Sequence, residues 1–371
     1  SERQLALLPA DVKAERRAWP SPLSPALDEI VAAEEPVCVL ASGDPMLHGI
    51  GATLARRMDP ERLDIHPHPS AFAYACARLA WPQTEVELVS AVGRPPDVVA
   101  RALTPGRRLI VYATGTEGAI GIARALIDRG FGPSRFVVFE QLGAPAERRI
   151  ESTAATWGER TTDPLFAIAI ECHMEPGAMP LPRTPGLPDA AYEHDGMLTK
   201  RTVRAVTLAA LAPAPRQLLW DVGAGSGSIG IEWLRAEPNA RAIAIEANPE
   251  RAARASANAT RLGVPHLDVV EGKAPEALNG LDRPDAIFVG GGIARSDLLA
   301  RCWDALPAGG RIVANAVTIE AEQVLVAARA THGGDLVRLA VSHAEPLGGL
   351  TTWRSALPIV QWSATKPEVH A

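Results

Sequence analysis

The stretch that most limits what this chain can become is Asp221 to Gly230, DVGAGSGSIG. It follows the run Gln217-Leu218-Leu219-Trp220, and AIAIE, ending at Glu246, comes after it. An apolar strand, a glycine-rich turn, a helix, a second strand and a carboxylate make up the nucleotide-binding half of a doubly wound α/β sheet. Gly223, Gly225 and Gly227, with Ala224 and Ser226 between them, let the backbone turn tightly and approach a ligand where a Cβ would collide. Glu246, at the carboxyl end of the next strand, is placed to accept hydrogen bonds from both hydroxyls of a ribose. The pattern points to an adenosine-type cofactor.

Two such cofactors use this turn differently. NAD would lay a pyrophosphate on the turn and helix N-terminus, usually with G-x-G-x-x-G. S-adenosylmethionine has no phosphate and packs its methionine part there. The order Asp221-x-Gly223-x-Gly225-x-Gly227 resembles the first motif of class I methyltransferases, which implies S-adenosylmethionine and, as product, S-adenosylhomocysteine. Glu271-Gly272-Lys273-Ala274 follows the run His266 to Val270, where that family contacts adenine, so Ala274 joins the expected cofactor residues. Asp285 to Val289 reads as the fourth strand and ends in Gly290-Gly291-Gly292.

A length of 371 residues exceeds one ordinary core and suits two domains. Apolar content of 47% with 22% charged residues is that of a soluble globular protein, and no apolar run is long enough to span a bilayer. No membrane partner and a cytoplasmic location are expected. Cys38, Cys76, Cys172 and Cys302 lie far apart without metal-ligand spacing, so they read as buried free thiols and no metal is expected. His66-Pro67-His68 reads as a surface turn. The net charge of −6 argues against a nucleic-acid partner. A homo-oligomer is the expected assembly.

The boundary is legible. His173 to Ala190 carries Pro176, Pro180, Pro182, Pro185 and Pro188 and shows no periodicity, so 173–190 reads as a linker between domains 1–172 and 191–371. A helix through Val203, Val206, Leu208 and Leu211 follows, stopped by Pro213. Strands and helices then alternate, with a strand from Arg311 to Ala314, a helix from Glu320 to Ala330, and late strands at Asp335–Ser342 and Leu357–Trp362. A seven-stranded, mostly parallel sheet with an antiparallel final strand fits this count. The first domain is a different α/β unit, and the halves do not repeat each other. It has buried-type strands at Val37–Leu40, Leu109–Tyr112, Arg135–Glu140 and Leu165–Ile170, and helices at Phe72–Leu79, Pro96–Leu103 and Gly118–Arg129.

Ser42-Gly43-Asp44-Pro45 with Gly49, His68-Pro69-Ser70-Ala71 opening a helix that ends Ala77-Arg78-Leu79, and Val138 to Gly143 with Glu147 resemble the tetrapyrrole (class III) methyltransferases. The second half, with Thr199-Lys200 and Val203-Arg204 before the glycine turn and EGKAPEAL from Glu271 to Leu278, resembles decarboxylating precorrin methyltransferase domains. The two joined in this order resemble the bifunctional precorrin methyltransferases of cobalamin synthesis, over nearly the whole chain.

The resemblance implies a tetrapyrrole substrate and one S-adenosylmethionine per domain. It gives carbon 15 methylation and decarboxylation of the ring-C acetate to the C-terminal domain, and carbon 5 methylation to the N-terminal one. It adds Thr199 to the C-terminal cofactor residues and Ser42, Gly43, Asp44, Ser70 and Ala71 to an N-terminal cofactor site, each loop following an apolar strand. It begins only after the family's first strand and glycine-rich turn, so the N-terminal domain is expected to lack that strand and to hold its cofactor more weakly. The meso carbons are nucleophilic in themselves, so alignment and water exclusion are needed more than a strong base, and no catalytic acid or base is assigned. Lys200, Arg201, Arg204 and Arg295 are candidates to hold substrate carboxylates. The alternative is a class I methyltransferase acting on RNA or protein, with a non-catalytic N-terminal tetrapyrrole-binding or docking domain. Against a nucleic-acid substrate, Phe288 to Gly292 lacks the Asn/Asp-Pro-Pro-aromatic motif of amino-methylating enzymes.

Overall fold

The computed structural model describes residues 2–294 and 297–368. The chain divides into two compact units, one of residues 1–92, 107–120 and 134–171, the other of residues 93–106, 121–133 and 172–371.

The helices of the N-terminal part are α1 (Glu2–Leu5), α2 (Ser24–Ala32), α3 (Ile50–Leu54), α4 (Ala71–Leu79), α5 (Gly115–Ile127) and α6 (Ala154–Trp157). Its five strands are β1 (Val86–Ser90), β2 (Arg108–Tyr112), β3 (Arg135–Glu140), β4 (Arg148–Thr153) and β5 (Phe166–Glu171), in the order β1-β2-β5-β3-β4. Only β1 and β2 run parallel. Ile110, Val137, Phe139, Ala167 and Ala169 from three central strands pack with Ala75 and Cys76 of α4 into one core. Val37–Leu40 is not a strand, and Val37 is exposed. A strand exists only where a neighbour takes its backbone hydrogen bonds, and among the described residues no strand pairs with this segment. Pro96–Arg101 forms a 3₁₀ turn where a longer helix was expected.

The second unit is the doubly wound half. Its strands are β6 (Leu218–Val222), β7 (Arg241–Glu246), β8 (Asp268–Glu271), β9 (Ala286–Val289), β10 (Arg311–Ala316), β11 (Asp335–Leu339) and β14 (Ile359–Thr365), in the order β11-β14-β10-β9-β6-β7-β8. The last strand, β14, inserts antiparallel between β10 and β11. Helices α7 (Arg201–Leu211), α8 (Ser228–Ala236), α9 (Pro249–Arg261), α10 (Leu298–Ala305) and α11 (Ile319–His332) flank it. Leu218, Trp220 and Val222 enter one core with Cys302 and Leu325, and Leu219 enters the other with Leu208, Ile231 and Ala259, so both sheet faces are covered. An unexpected hairpin, β12 (Ser342–Leu347) with β13 (Leu350–Ser355), stands as a separate two-stranded sheet.

The 173–190 segment has no regular structure before the turn at Asp189–Ala191, yet its last part is no free tether. Leu187 is buried in the second unit's core. Cys76, Cys172 and Cys302 are buried, but Cys38 is exposed, because the segment that carries it pairs with no strand. No helix among the described residues is long and apolar enough to cross a membrane.

Candidate cofactor sites

Strand numbers rise outward from β6 through β7 and β8 on one side and through β9 and β10 on the other. The order therefore reverses between β6 and β9, and ligands of open α/β sheets bind beyond the carboxyl ends of the strands at that point. Gly223 (φ 74°) follows β6 there, and a Cβ on it would lie 3.0 Å from the nitrogen of Gly291, which follows β9. Gly225 (φ 58°) would meet the carbonyl oxygen of Met197, and Gly227 (φ 78°) would meet Ala255 of α9. The glycines are thus required by close approach to the protein's own chain, in addition to any ligand.

Glu246, nearly buried, fixes the turn. Its two oxygens accept the N–H groups of Gly225 at 2.8 Å and of Asn248 at 2.9 Å, so each retains a further acceptor position. Ala224 donates its N–H to the Ile245 carbonyl. Gly272 donates to the Glu246 carbonyl, which sets the turn leading to Ala274 beside β7.

Among the described residues, two buried oxygens in this cradle have no hydrogen-bond partner: Asp221 Oδ1 and Ser226 Oγ. The other Asp221 oxygen takes the Gly230 N–H at 2.9 Å. Burial, with the Glu246 charge adding to it, pushes the Asp221 carboxyl up to about 7. An unpartnered buried polar atom costs about 1–3 kcal/mol, and a ligand carrying an ammonium group and hydroxyls brings the donors these oxygens lack. The residues present therefore fit S-adenosylmethionine. Asp221 has no role assigned from sequence, although a carboxylate within the apolar strand Leu218–Val222 was the available signal.

The segment from Glu193 to Lys200 passes over the turn. Asn258, fully buried on α9, accepts the Glu193 N–H and donates to the carbonyls of Glu193 and Ser226, joining segment and turn. Asp195 pairs with Arg251 at 2.7 Å and Arg254 at 3.5 Å, and the Arg251 hydrogen bond holds its carboxyl down at about 2. A lone Asn on the alanine face of α9, beside Ala252, Ala255 and Ala259, was the signal for this anchor.

Thr199 is half-buried, and its carbonyl accepts from Arg204. Arg204 corrects the sequence reading. Its side chain has no exposure and binds Glu232, Asp189 and the carbonyls of Thr199 and Leu187, while Glu232 also accepts from Gly186 N, Leu187 N and the Tyr192 hydroxyl. With its donors consumed inside the fold, Arg204 holds the chain segment and not a substrate. Lys200 and Arg201 are exposed at the start of α7, Arg201 with its Nε on the Gly186 carbonyl. Arg295 lies outside the described residues.

In the first unit the two expected loops meet: a Cβ on Gly43 (φ 62°) would sit 3.3 Å from the Ser70 Cα. Neither loop follows a strand, contrary to expectation, because 37–40 and 63–69 are both irregular. Asp44 accepts the Met46 N–H and Ser42 accepts from Gln4. Ser70 caps α4 through the Ala73 N–H, with Ala71 as the first helical residue. Glu147 pairs bidentately with Arg78 and takes the Gly143 N–H.

Two family models match the chain: tetrapyrrole (corrin/porphyrin) methylases over residues 14–157 and a precorrin methyltransferase domain over residues 190–366. A Sinorhizobium protein named precorrin-6Y C(5,15)-methyltransferase [decarboxylating] is 48% identical over 98% of this chain and 88% of its own length. One of the same name from Mycobacterium tuberculosis is 44% identical over 99% and 92%. The chain belongs to this family of decarboxylating precorrin-6Y C(5,15)-methyltransferases. A shorter relative, the cobalt-precorrin-6B C(15)-methyltransferase (decarboxylating) of Salmonella typhimurium, matches 47% of this chain and 91% of its own, at 32% identity. The solved C-terminal domain of precorrin-6Y C5,15-methyltransferase from Rhodobacter capsulatus is 45% identical, covering half of this chain and all of that one with a TM-score of 0.48.

Proposed function

We propose that this chain methylates precorrin-6B (precorrin-6Y) at carbons 5 and 15 and removes the ring-C acetate carboxyl as carbon dioxide, giving precorrin-8 in cobalamin synthesis. The observation that carries this is the similarity along nearly the full chain to enzymes named for this pair of reactions. We assign residues 1–172 to carbon 5 methylation, 173–190 to the connection and 191–371 to carbon 15 methylation with decarboxylation. A relative of half the length that is named for carbon 15 and decarboxylation alone supports this division.

S-adenosylmethionine supplies an electrophilic methyl when bound and leaves as S-adenosylhomocysteine. In the C-terminal site Glu246 receives the ribose hydroxyls, Asp221 and Ser226 present acceptors beneath the glycine turn, and Ala274 borders the adenine. Thr199, Gly223, Ala224, Gly225 and Gly227 shape the backbone around the methionine part. The 193–200 segment, pinned by Asn258, Asp195 and Arg204, keeps water from the turn. Lys200 and Arg201 receive substrate carboxylates. In the N-terminal site Ser42, Gly43, Asp44, Ser70 and Ala71 hold the second cofactor. Methyl transfer to a nucleophilic ring carbon needs this alignment more than a base, and decarboxylation uses the macrocycle's own imine as electron sink.

We place the protein in the cytoplasm as a homo-oligomer with no nucleic-acid or membrane partner. Four free cysteines support the compartment, and exposed Leu347, Leu350 and Trp353 on the hairpin support self-association. Mass spectrometry after incubation with precorrin-6B and S-adenosylmethionine tests the activity. Two added methyls and one lost carbon dioxide are expected, and an unchanged substrate mass would refute it.

A further inference from the structure

Three distant segments of the first unit meet at Tyr112, the last residue of β2. Its hydroxyl accepts the N–H of Phe72 at 2.8 Å and meets the Ser70 hydroxyl. Phe72 is the second residue of α4, whose first-turn N–H groups have no partner within the helix. Ser70 satisfies one of them, that of Ala73, from the cap position, and Tyr112 satisfies another from a neighbouring strand. A cap borrowed from another element fixes where the helix begins in space, which a cap within the same segment does not. Ser70 in turn lies against Gly43. His48, in the same loop as Asp44, packs near-perpendicular to the Tyr112 ring, with the ring centroids 6.2 Å apart. Burial of the phenol, together with the nearby Cys76 and Asp44, raises its pKa, so it remains a neutral hydroxyl. Phenylalanine would fill the same space, so packing does not account for the hydroxyl.

We propose that Tyr112 is a positioning residue for the N-terminal methyl transfer: its hydroxyl holds the Ser70–Ala71 turn against the Ser42–Asp44 loop and so sets that site's affinity for S-adenosylmethionine. This rests on the assignment of carbon 5 methylation to the N-terminal unit.

The test is Tyr112→Phe in the full chain, with S-adenosylmethionine titrated and methyls per product counted by mass spectrometry. Carbon 15 methylation and carbon dioxide loss, run by the other unit, serve as the reference within the same molecule. The expected result is a KM for the cofactor in carbon 5 methylation raised about fivefold to tenfold, the effect of one lost hydrogen bond. Its kcat should stay near the unsubstituted value, and excess cofactor should restore the carbon 5 methyl. An unchanged cofactor dependence overturns the proposal, as does a loss of the carbon 5 methyl that excess cofactor does not restore. If the unsubstituted chain adds only one methyl at every cofactor concentration, the N-terminal assignment itself falls.

Discussion

Asp221 is wholly buried near the end of β6, with one oxygen on the Gly230 N–H and the other without a hydrogen-bond partner among the described residues. Its carboxyl is pushed up to about 7, chiefly by burial, against about 4 in an unfolded chain. An acid whose pKa is raised by folding favours the fold while protonated. That stability is fully present below about pH 4 and is lost as pH rises through 7. Asp221→Asn keeps the neutral shape at every pH. Relative to that variant, the unsubstituted, cofactor-free protein should lose stability between about pH 4 and 7 at up to ~1.4 kcal/mol per pH unit and level off above. Denaturation curves at a series of pH values measure this, and parallel pH profiles for the two proteins would show that Asp221 is ionised throughout. The glycine turn and Glu246 were legible in the sequence because their spacing is local. Asp221's unpartnered oxygen was not, since it depends on what β7, β9 and α8 fail to offer it.

Among the elements, the 186–200 segment shows how a charge pattern misleads. Lys200, Arg201 and Arg204 read alike as basic residues ahead of the glycine turn, but Arg204, one turn into α7, points inward onto Glu232, while Lys200 precedes the helix in extended backbone and stays exposed. Removing one partner of a buried pair leaves the other charge uncompensated, at a cost of about 3–5 kcal/mol. Arg204→Met should therefore destabilise the second unit by that order, whereas Lys200→Ala, at an exposed site, should change stability by less than about 0.5 kcal/mol. Urea unfolding distinguishes them. Intact stability in Arg204→Met with weakened tetrapyrrole binding would return Arg204 to the list of substrate ligands. The Val37–Leu40 misreading has a similar origin, because apolar composition records a preference to be buried but not whether a partner strand exists. The β12–β13 hairpin escaped notice because Leu347, Leu350 and Trp353 point apolar surface at solvent, against the alternation that marks a strand.

At the scale of the molecule, the seven-stranded sheet and its antiparallel final strand were legible, since mostly apolar runs such as Leu218–Val222 and Ala286–Val289 are spaced by helical segments, whereas the insertion of that strand between β10 and β11 was not. The first unit was less so, because its antiparallel order β2-β5-β3-β4 brings together strands with no local signal of pairing. The proposed function requires that one chain carry two separable methyltransferase sites, with carbon 15 and the decarboxylation belonging to the glycine turn of the second unit. Gly225→Val tests it, since Gly225 is left-handed and a Cβ there already meets the Met197 carbonyl at 3.2 Å. The measurement is nuclear magnetic resonance of the tetrapyrrole formed by the full chain, with and without that substitution, from S-adenosylmethionine labelled in its methyl. The unsubstituted chain should place label at carbons 5 and 15 with loss of the acetate carboxyl, and Gly225→Val should leave carbon 15 unlabelled and the carboxyl retained. Label at carbon 15 with loss of carbon dioxide in the variant would contradict it.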